Sequence, residues 1–150
     1  MTKILFVCHG NICRSPMAEF VMKRMVEEAG MADDFYIASA ATSSEEIGNS
    51  VYPGTRKRLA SAGISVAGKA AVRVWRSDYE KYDYLIGMDS HNIANMLRLF
   101  DGDPDGKIRR LLDYCDRPRD IADPWYTGDF DATYEDVYEG CTALLKAVRP

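Results

Sequence analysis

Four consecutive apolar residues, Ile4 to Val7, stand near the start of the chain with no polar residue between them. A short run without alternation is typical of a strand that is buried on both faces, as in parallel sheets covered by helices. The pattern therefore predicts a central parallel strand over Lys3 to Val7.

Strand and helix signals then alternate along the chain. A helix is predicted from Ser15, with Pro16 in its first turn, to Gly30. The later predicted elements are a strand over Phe35 to Ser39, a helix over Arg56 to Ala62, a strand over Tyr84 to Met88, a helix over Ile93 to Leu99, a strand over Ile108 to Leu111 and a helix over Tyr134 to Val148. This order predicts an α/β fold, a four-stranded parallel sheet flanked by helices on both faces.

Length, composition and net charge restrict the class of protein to which the chain can belong. The chain has 150 residues, which predicts one domain over 1–150, and four cysteines with no spacing typical of a disulfide framework. No apolar stretch approaches a membrane span and no secretory leader is recognisable, so we expect a cytoplasmic protein without a membrane partner. The net charge of −4 argues against nucleic-acid binding.

A cysteine and an arginine, Cys8 and Arg14, are separated by five residues at the junction of the first strand and first helix. A loop that enters a helix N-terminus directs backbone N–H groups and the positive end of the helix dipole inward, which predicts a phosphate-binding loop. Gly10 lets the backbone close around the anion. This field favours the Cys8 thiolate, a nucleophile, and Arg14 can hold two phosphate oxygens. Alternatively, Cys8 and Cys13 are small buried residues and Arg14 lies on the surface.

The chain resembles the low-molecular-weight protein tyrosine phosphatases over almost its whole length. The resemblance is carried by Val7-Cys8-x-Gly10-Asn11-Ile12-Cys13-Arg14-Ser15-Pro16-Met17-Ala18-Glu19, Ser39-Ala40-Ala41-Thr42-Ser43, Ile47-Gly48-Asn49, Met88-Asp89 and Asp123-Pro124-Trp125-Tyr126. It implies hydrolysis of phosphotyrosine through a phosphocysteine on Cys8, without metal or cofactor. Asp123 is the implied general acid and then the general base. It lies in the aperiodic stretch from Asp113 to Asp129, predicted to be a functional loop.

The same resemblance assigns supporting roles. Asn11, Ser15 and Ser39 would form a hydrogen-bond network behind the loop, although Ser15 also fits the N-cap of the first helix. The implied substrate-binding residues are His9, Gly10, Asn11, Ile12, Cys13, Trp125 and Tyr126, with the last two as an aromatic wall. Two departures are visible: Glu45 and Glu46 stand where an aromatic residue is common, and Lys69 stands where a supporting histidine is common.

Two other functions remain open at this point. A thiol-dependent arsenate reductase shares this fold, but it needs a relay of cysteines, which Cys115 and Cys141 do not match. A phosphate-binding or carrier module would need no general acid at Asp123. We expect phosphotyrosine-containing proteins or small aryl phosphates as partners of a monomeric enzyme, and we expect Cys13 to form a disulfide with an oxidised Cys8.

Overall fold

A computed structural model describes residues 1–149 and contains one sheet of four strands. The strands are β1 (Thr2–Cys8), β2 (Phe35–Ala41), β3 (Tyr84–Gly87) and β4 (Ile108–Arg110). They lie in the order β2-β1-β3-β4, and every neighbouring pair is parallel. The helices are α1 (Arg14–Glu28), α2 (Pro53–Ser61), α3 (Asp78–Lys81), α4 (Ser90–Leu99), α5 (Pro124–Thr127) and α6 (Phe130–Val148), with 3-10 turns over Ala32–Asp34 and Leu111–Tyr114.

Strand β1 is central because its side chains are apolar on both faces. Ile4 and Phe6 are buried in a core shared with α1 and α6, whereas Leu5 and Val7 are buried in a second core shared with α3 and α4. Helices therefore cover both faces of the sheet, and the predicted fold class is confirmed. No helix within residues 1–149 combines the length and the apolar character that a membrane crossing requires.

Three helices begin three or four residues earlier than predicted, because polar caps and a proline, not apolar spacing, set their first residues. They are α2, α4 and α6, which were predicted to begin at Arg56, Ile93 and Tyr134. Pro53 occupies the first turn of α2, where its missing N–H costs nothing. Asp89 caps α4 by accepting from the backbone N–H of the third helical residue at 2.8 Å, and Asp129 caps α6 in the same way at 2.9 Å.

Other predicted boundaries were wrong by one or two residues. Helix α1 begins one residue earlier and ends two residues earlier than predicted, β2 continues to Ala41 because that residue pairs with Cys8, and β3 and β4 are each one residue shorter. The stretch from Asp113 to Asp129, predicted to lack regular structure, contains the end of a 3-10 turn and helix α5. Its four-residue helix is too short to give a periodic signal.

The carboxyl ends of all four strands lie at one edge of the sheet, because the strands are parallel. Cys8 is the last residue of β1 and Ala41 is the last residue of β2. Asp89 is the second residue after the end of β3. Binding sites in open α/β sheets form outside this edge. The residues predicted to carry the chemistry are therefore brought to the edge where a site is expected.

Candidate active site

The loop between β1 and α1 has the shape of an anion cradle. The N-cap of α1 is Cys13, and no side chain caps the helix, so its first N–H groups are not occupied by a capping oxygen. Asn11 adopts the left-handed conformation with φ 58°, which asparagine tolerates better than most residues. The loop is fixed from outside by hydrogen bonds from Thr42 N to the Cys8 carbonyl (3.0 Å) and from Tyr52 N to the Ile12 carbonyl (2.9 Å).

The Cys8 sulfur lies on the floor of this cradle. It is contacted by the backbone N–H of Asn11 at 3.3 Å and by the Ser15 hydroxyl at 3.0 Å. The Ser15 oxygen already accepts a hydrogen bond from Asn11 Nδ2 at 2.8 Å, so its own proton is free to point to the sulfur. The sulfur therefore has two hydrogen-bonding groups of the loop and of α1 directly beside it. The N-cap interpretation of Ser15 was wrong, since Ser15 is the second residue of α1.

A buried hydrogen-bond network holds the loop from behind. Asn11 Nδ2 also donates to Ser39 Oγ (2.9 Å), and Ser39 Oγ donates to Glu19 Oε1 (2.5 Å). Lys69 completes the network, because its ammonium donates to the Ser39 carbonyl at 2.9 Å and lies 3.3 Å from Glu19 Oε1. Lys69 therefore supports the loop at the position where the resemblance described above led us to expect a histidine. Glu19, which the sequence analysis gave no role, is a buried carboxylate on the sheet-facing side of α1.

The Arg14 guanidinium is buried beside the cradle and held in one orientation. Its Nη1 donates to Asp89 Oδ2 at 2.7 Å and to the Ile121 carbonyl at 2.9 Å. Burial disfavours the charged form, but the neighbouring Cys8 and the hydrogen-bonded Asp89 outweigh it and raise the pKa of Arg14. The role of Asp89 was missed, although an acidic residue just after a buried parallel strand is a recognisable signal.

The Asp123 carboxylate lies at the rim of the cradle. Its Oδ1 caps α5 by accepting from Trp125 N at 3.0 Å, and its Oδ2 lies 3.4 Å from Arg14 Nη2. About a quarter of the side chain is exposed, so solvent reaches it. One carboxylate therefore combines a fixed position with access to the mouth of the site.

A cavity of about 210 Å³ opens above the Cys8 sulfur. Its lining residues are Cys8, His9, Gly10, Ile12, Cys13, Arg14, Glu45, Glu46, Asp123, Trp125 and Tyr126. Most residues that were assigned to catalysis or substrate binding therefore face one space. Asn11, Ser15 and Ser39 lie behind the loop, where the side chain of Asn11 serves the network instead of lining the cavity.

The two walls of the cavity differ in chemistry. On one side, Trp125 packs edge-on against Tyr52 with ring centroids 5.1 Å apart, and Tyr52 stacks on Phe130 at 5.8 Å. A side chain at Gly54 would meet the Phe130 ring at 2.4 Å, so only glycine permits this aromatic stack. On the other side, Glu45 Oε2 lies 2.9 Å from His9 Nε2.

The other three cysteines lie in different surroundings. Burial raises the pKa of the Cys13 thiol to about 12 and that of Cys115 to about 11, and the pKa of the fully buried Cys141 is also raised. The raised pKa values keep these three thiols protonated at neutral pH. Cys115 lines a larger groove of about 940 Å³ beside α6, away from the strand ends. Within residues 1–149, no cluster of histidine, cysteine, aspartate or glutamate could hold a metal ion.

A cysteine sulfur at a helix N-terminus, with a fixed guanidinium alongside it, is an arrangement suited to attack on phosphate esters, which is the chemistry of the cysteine-dependent phosphatases. Residues 3–150 match the family model described as low molecular weight phosphotyrosine protein phosphatase. The chain is therefore a member of the low molecular weight protein tyrosine phosphatase family.

Individual relatives match the chain over nearly its full length and nearly their own. The chain is 36% identical to the low molecular weight protein-tyrosine-phosphatase YfkJ of Bacillus subtilis, over 99% of this chain and 97% of that protein. The crystal structure of YfkJ superposes with a TM-score of 0.96, covering 99% of this chain and 95% of the other. A phosphatase structure from Streptococcus pyogenes, 40% identical, gives 0.90 over 100% and 95% of the two chains. The pig low molecular weight phosphotyrosine protein phosphatase is 34% identical, over 97% and 95%.

Proposed function

We propose that this protein tyrosine phosphatase works through Cys8 as nucleophile, Arg14 as phosphate clamp and Asp123 as general acid and base. The observation that carries the proposal is that all three side chains border the same cavity, with Asp123 Oδ2 3.4 Å from Arg14 Nη2. The substrate is a phosphotyrosine side chain, whose ring would lie between Trp125 and the cavity wall that contains Glu45 and Glu46.

In the first step, the Cys8 thiolate attacks phosphorus and the bond between phosphorus and the tyrosyl oxygen breaks. Asp123 donates its proton to the departing oxygen, so tyrosine leaves as the neutral phenol. Backbone N–H groups of the loop and the Arg14 guanidinium hold the three remaining phosphate oxygens, and this stabilisation is strongest in the transition state. The product on the enzyme is phosphocysteine.

In the second step, water attacks the phosphocysteine and the carboxylate of Asp123 accepts its proton. The sulfur–phosphorus bond breaks, inorganic phosphate leaves, and the thiolate is restored. The Ser15 hydroxyl, 3.0 Å from the sulfur, stabilises the thiolate as it departs. Asp123 ends the cycle protonated and ready for the next substrate.

The natural partners in this proposal are phosphotyrosine-containing proteins or small aryl phosphates. A thiolate nucleophile works only while it is reduced, which supports a reducing compartment such as the cytoplasm. We further propose that 1–150 forms one domain, since the family match runs from 3 to 150, and that the enzyme acts as a monomer, since Cys8, Arg14 and Asp123 of a single chain already border one cavity.

A direct assay separates this function from its two alternatives. The wild-type enzyme should hydrolyse p-nitrophenyl phosphate, vanadate should inhibit it, and arsenate should not be reduced in the presence of thiols. Reduction of arsenate would favour the reductase, whose cysteine relay Cys115 and Cys141 do not match, since neither lines the cavity that contains Cys8. Binding of phosphate without any hydrolysis would favour the carrier, for which the carboxylate beside Arg14 has no use.

Replacing Asp123 by asparagine should slow hydrolysis of esters with poor leaving groups by roughly 10²–10⁴-fold and affect good leaving groups much less. Asparagine keeps the helix cap, because its oxygen can still accept from Trp125 N, but it carries no acidic proton. The measurement is kcat/KM over a series of aryl phosphates with different phenol pKa values. Asp129→Asn, at the equivalent capping position of α6, is the matched control and should leave the series unchanged. An equal loss for all esters would assign Asp123 a structural role only.

Peroxide should inactivate the enzyme reversibly through a disulfide between Cys8 and Cys13. The Cys8 thiolate is oxidised to sulfenic acid, which condenses with the Cys13 thiol and releases water. Mass spectrometry should detect the linked peptide, dithiothreitol should restore activity, and bound phosphate should protect. Cys13→Ser should recover poorly after the same treatment, whereas Cys115→Ser should recover like the wild type. Full recovery of Cys13→Ser would show that Cys13 is a packing residue.

A further inference from the structure

A second concavity, of about 390 Å³, adjoins the catalytic cavity and is separated from it by His9. Its polar lining residues are His9, Thr42, Ser43, Arg73, Asn95 and Arg98. Two arginines therefore line one space, and no residue with a carboxylate side chain is among the described residues that line it. We propose that this concavity binds an acidic side chain of the phosphotyrosine substrate, next to the phosphorylated residue. The inference rests on the proposed function and adds a preference for substrates that carry an acidic residue near the phosphotyrosine.

Both arginines keep their charge unneutralised. Arg73 Nη1 donates to Ser44 Oγ at 2.8 Å, and Arg98 Nη2 donates to Asn95 Oδ1, so neutral oxygens orient both groups. Across residues 1–149, neither guanidinium has a carboxylate oxygen within 4.0 Å. Each retains further N–H donors in a planar fork that suits a carboxylate.

The walls of this concavity are joined directly to the catalytic loop. Arg73 lies on a segment that pairs with the end of β2, where Ala41 N donates to the Val72 carbonyl at 2.7 Å. Thr42 N and Ser43 N donate to the carbonyls of Cys8 (3.0 Å) and His9 (3.1 Å). The anionic group would thus be held within a side chain's reach of the phosphate position.

Carboxylates on the opposite side of His9 determine the orientation in which an acidic substrate binds. Glu45 and Glu46 line the catalytic cavity and repel an acidic side chain that approaches from their side. Among the described residues that line the two spaces, Arg14 is reserved for the phosphate, and the other two arginines, Arg73 and Arg98, lie on the far side of His9. A substrate with one acidic neighbour is therefore stabilised in the orientation that places this neighbour over the arginines.

The test compares phosphotyrosine peptides that carry glutamate at single positions from three before to three after the phosphotyrosine with the all-neutral peptide. In the wild type, the best glutamate position should raise kcat/KM about 3–10-fold at low salt, and 0.5 M NaCl should remove most of the gain. In Arg73→Gln/Arg98→Gln, the ratio of acidic to neutral peptide should fall to one or below. Because the result is a ratio, a general loss of activity cancels.

The control is Arg117→Gln/Arg149→Gln, which removes the same charge from exposed positions near α6. It should keep the wild-type ratio. An unchanged ratio in Arg73→Gln/Arg98→Gln, or an equal fall in the control, would overturn the subsite while leaving the phosphatase function intact. Failure of the wild type to hydrolyse the neutral peptide and p-nitrophenyl phosphate would instead overturn the proposed function, and the subsite with it.

Discussion

Replacing Cys8 by serine should abolish turnover while the protein stays folded. A hydroxyl in the same cradle remains protonated at neutral pH, so we expect kcat to fall by at least about 10⁴-fold, as for other essential nucleophiles. The cradle itself is built from backbone N–H groups and Arg14, so the variant should still bind phosphate. The measurements are hydrolysis of p-nitrophenyl phosphate and the rise in melting temperature on addition of phosphate.

Cys115→Ser provides the control for this result. It makes the same chemical change at a partly exposed thiol that lies away from the cavity, and it should retain wild-type kcat. Hydrolysis by Cys8→Ser above the level of a mock preparation would exclude Cys8 as the nucleophile.

Replacing Arg14 by lysine should have the second largest effect. The ammonium keeps the charge but cannot hold Asp89, the Ile121 carbonyl and two phosphate oxygens at once, because it has three donors on one atom. We expect kcat/KM to fall roughly 10²–10⁴-fold, comparable to the loss of a principal transition-state donor. Phosphate inhibition should weaken as well, because the same contacts hold the product.

Arg119→Lys is the matched control for this substitution. Arg119 also bridges two carboxylates, Asp136 at 2.9 Å and Glu139 at 3.2 Å, but it lies beside α6. Its replacement should leave kcat/KM and phosphate inhibition at wild-type values. Wild-type kinetics in Arg14→Lys would require the clamp role to be abandoned.

Much of the architecture could be predicted from local pattern. The unbroken apolar run of β1 indicated a strand covered on both faces, and the alternation of elements indicated a parallel sheet. Helix starts were predicted less well, because the caps at Asp89 and Asp129 depend on single polar residues outside the apolar stripe. Helix α5 was missed because four residues carry no period.

The residues of the candidate site also differ in how well the sequence predicted them. Cys8 and Arg14 belong to one short loop, and their spacing between a predicted strand and a predicted helix indicated an anion site. Asp123 was named through resemblance, since an aspartate in a polar loop gives no signal by itself. Asp89 follows a buried parallel strand, which is a recognisable signal, but its partner Arg14 is distant in sequence, as is Ser39, the partner of Glu19, so neither role was predicted.

The contacts of Arg14 also bear on when the chain becomes active during its synthesis. Its partners Asp89, Ile121 and Asp123 lie 75, 107 and 109 positions further along the chain. Contacts over such separations form only after most of the chain has emerged and closed into long loops. A nascent chain that ends before Ile121 has Cys8 and the cradle, but its guanidinium lacks two of these three partners. We therefore expect phosphatase activity to begin only after the residues up to Asp123 have been made and folded.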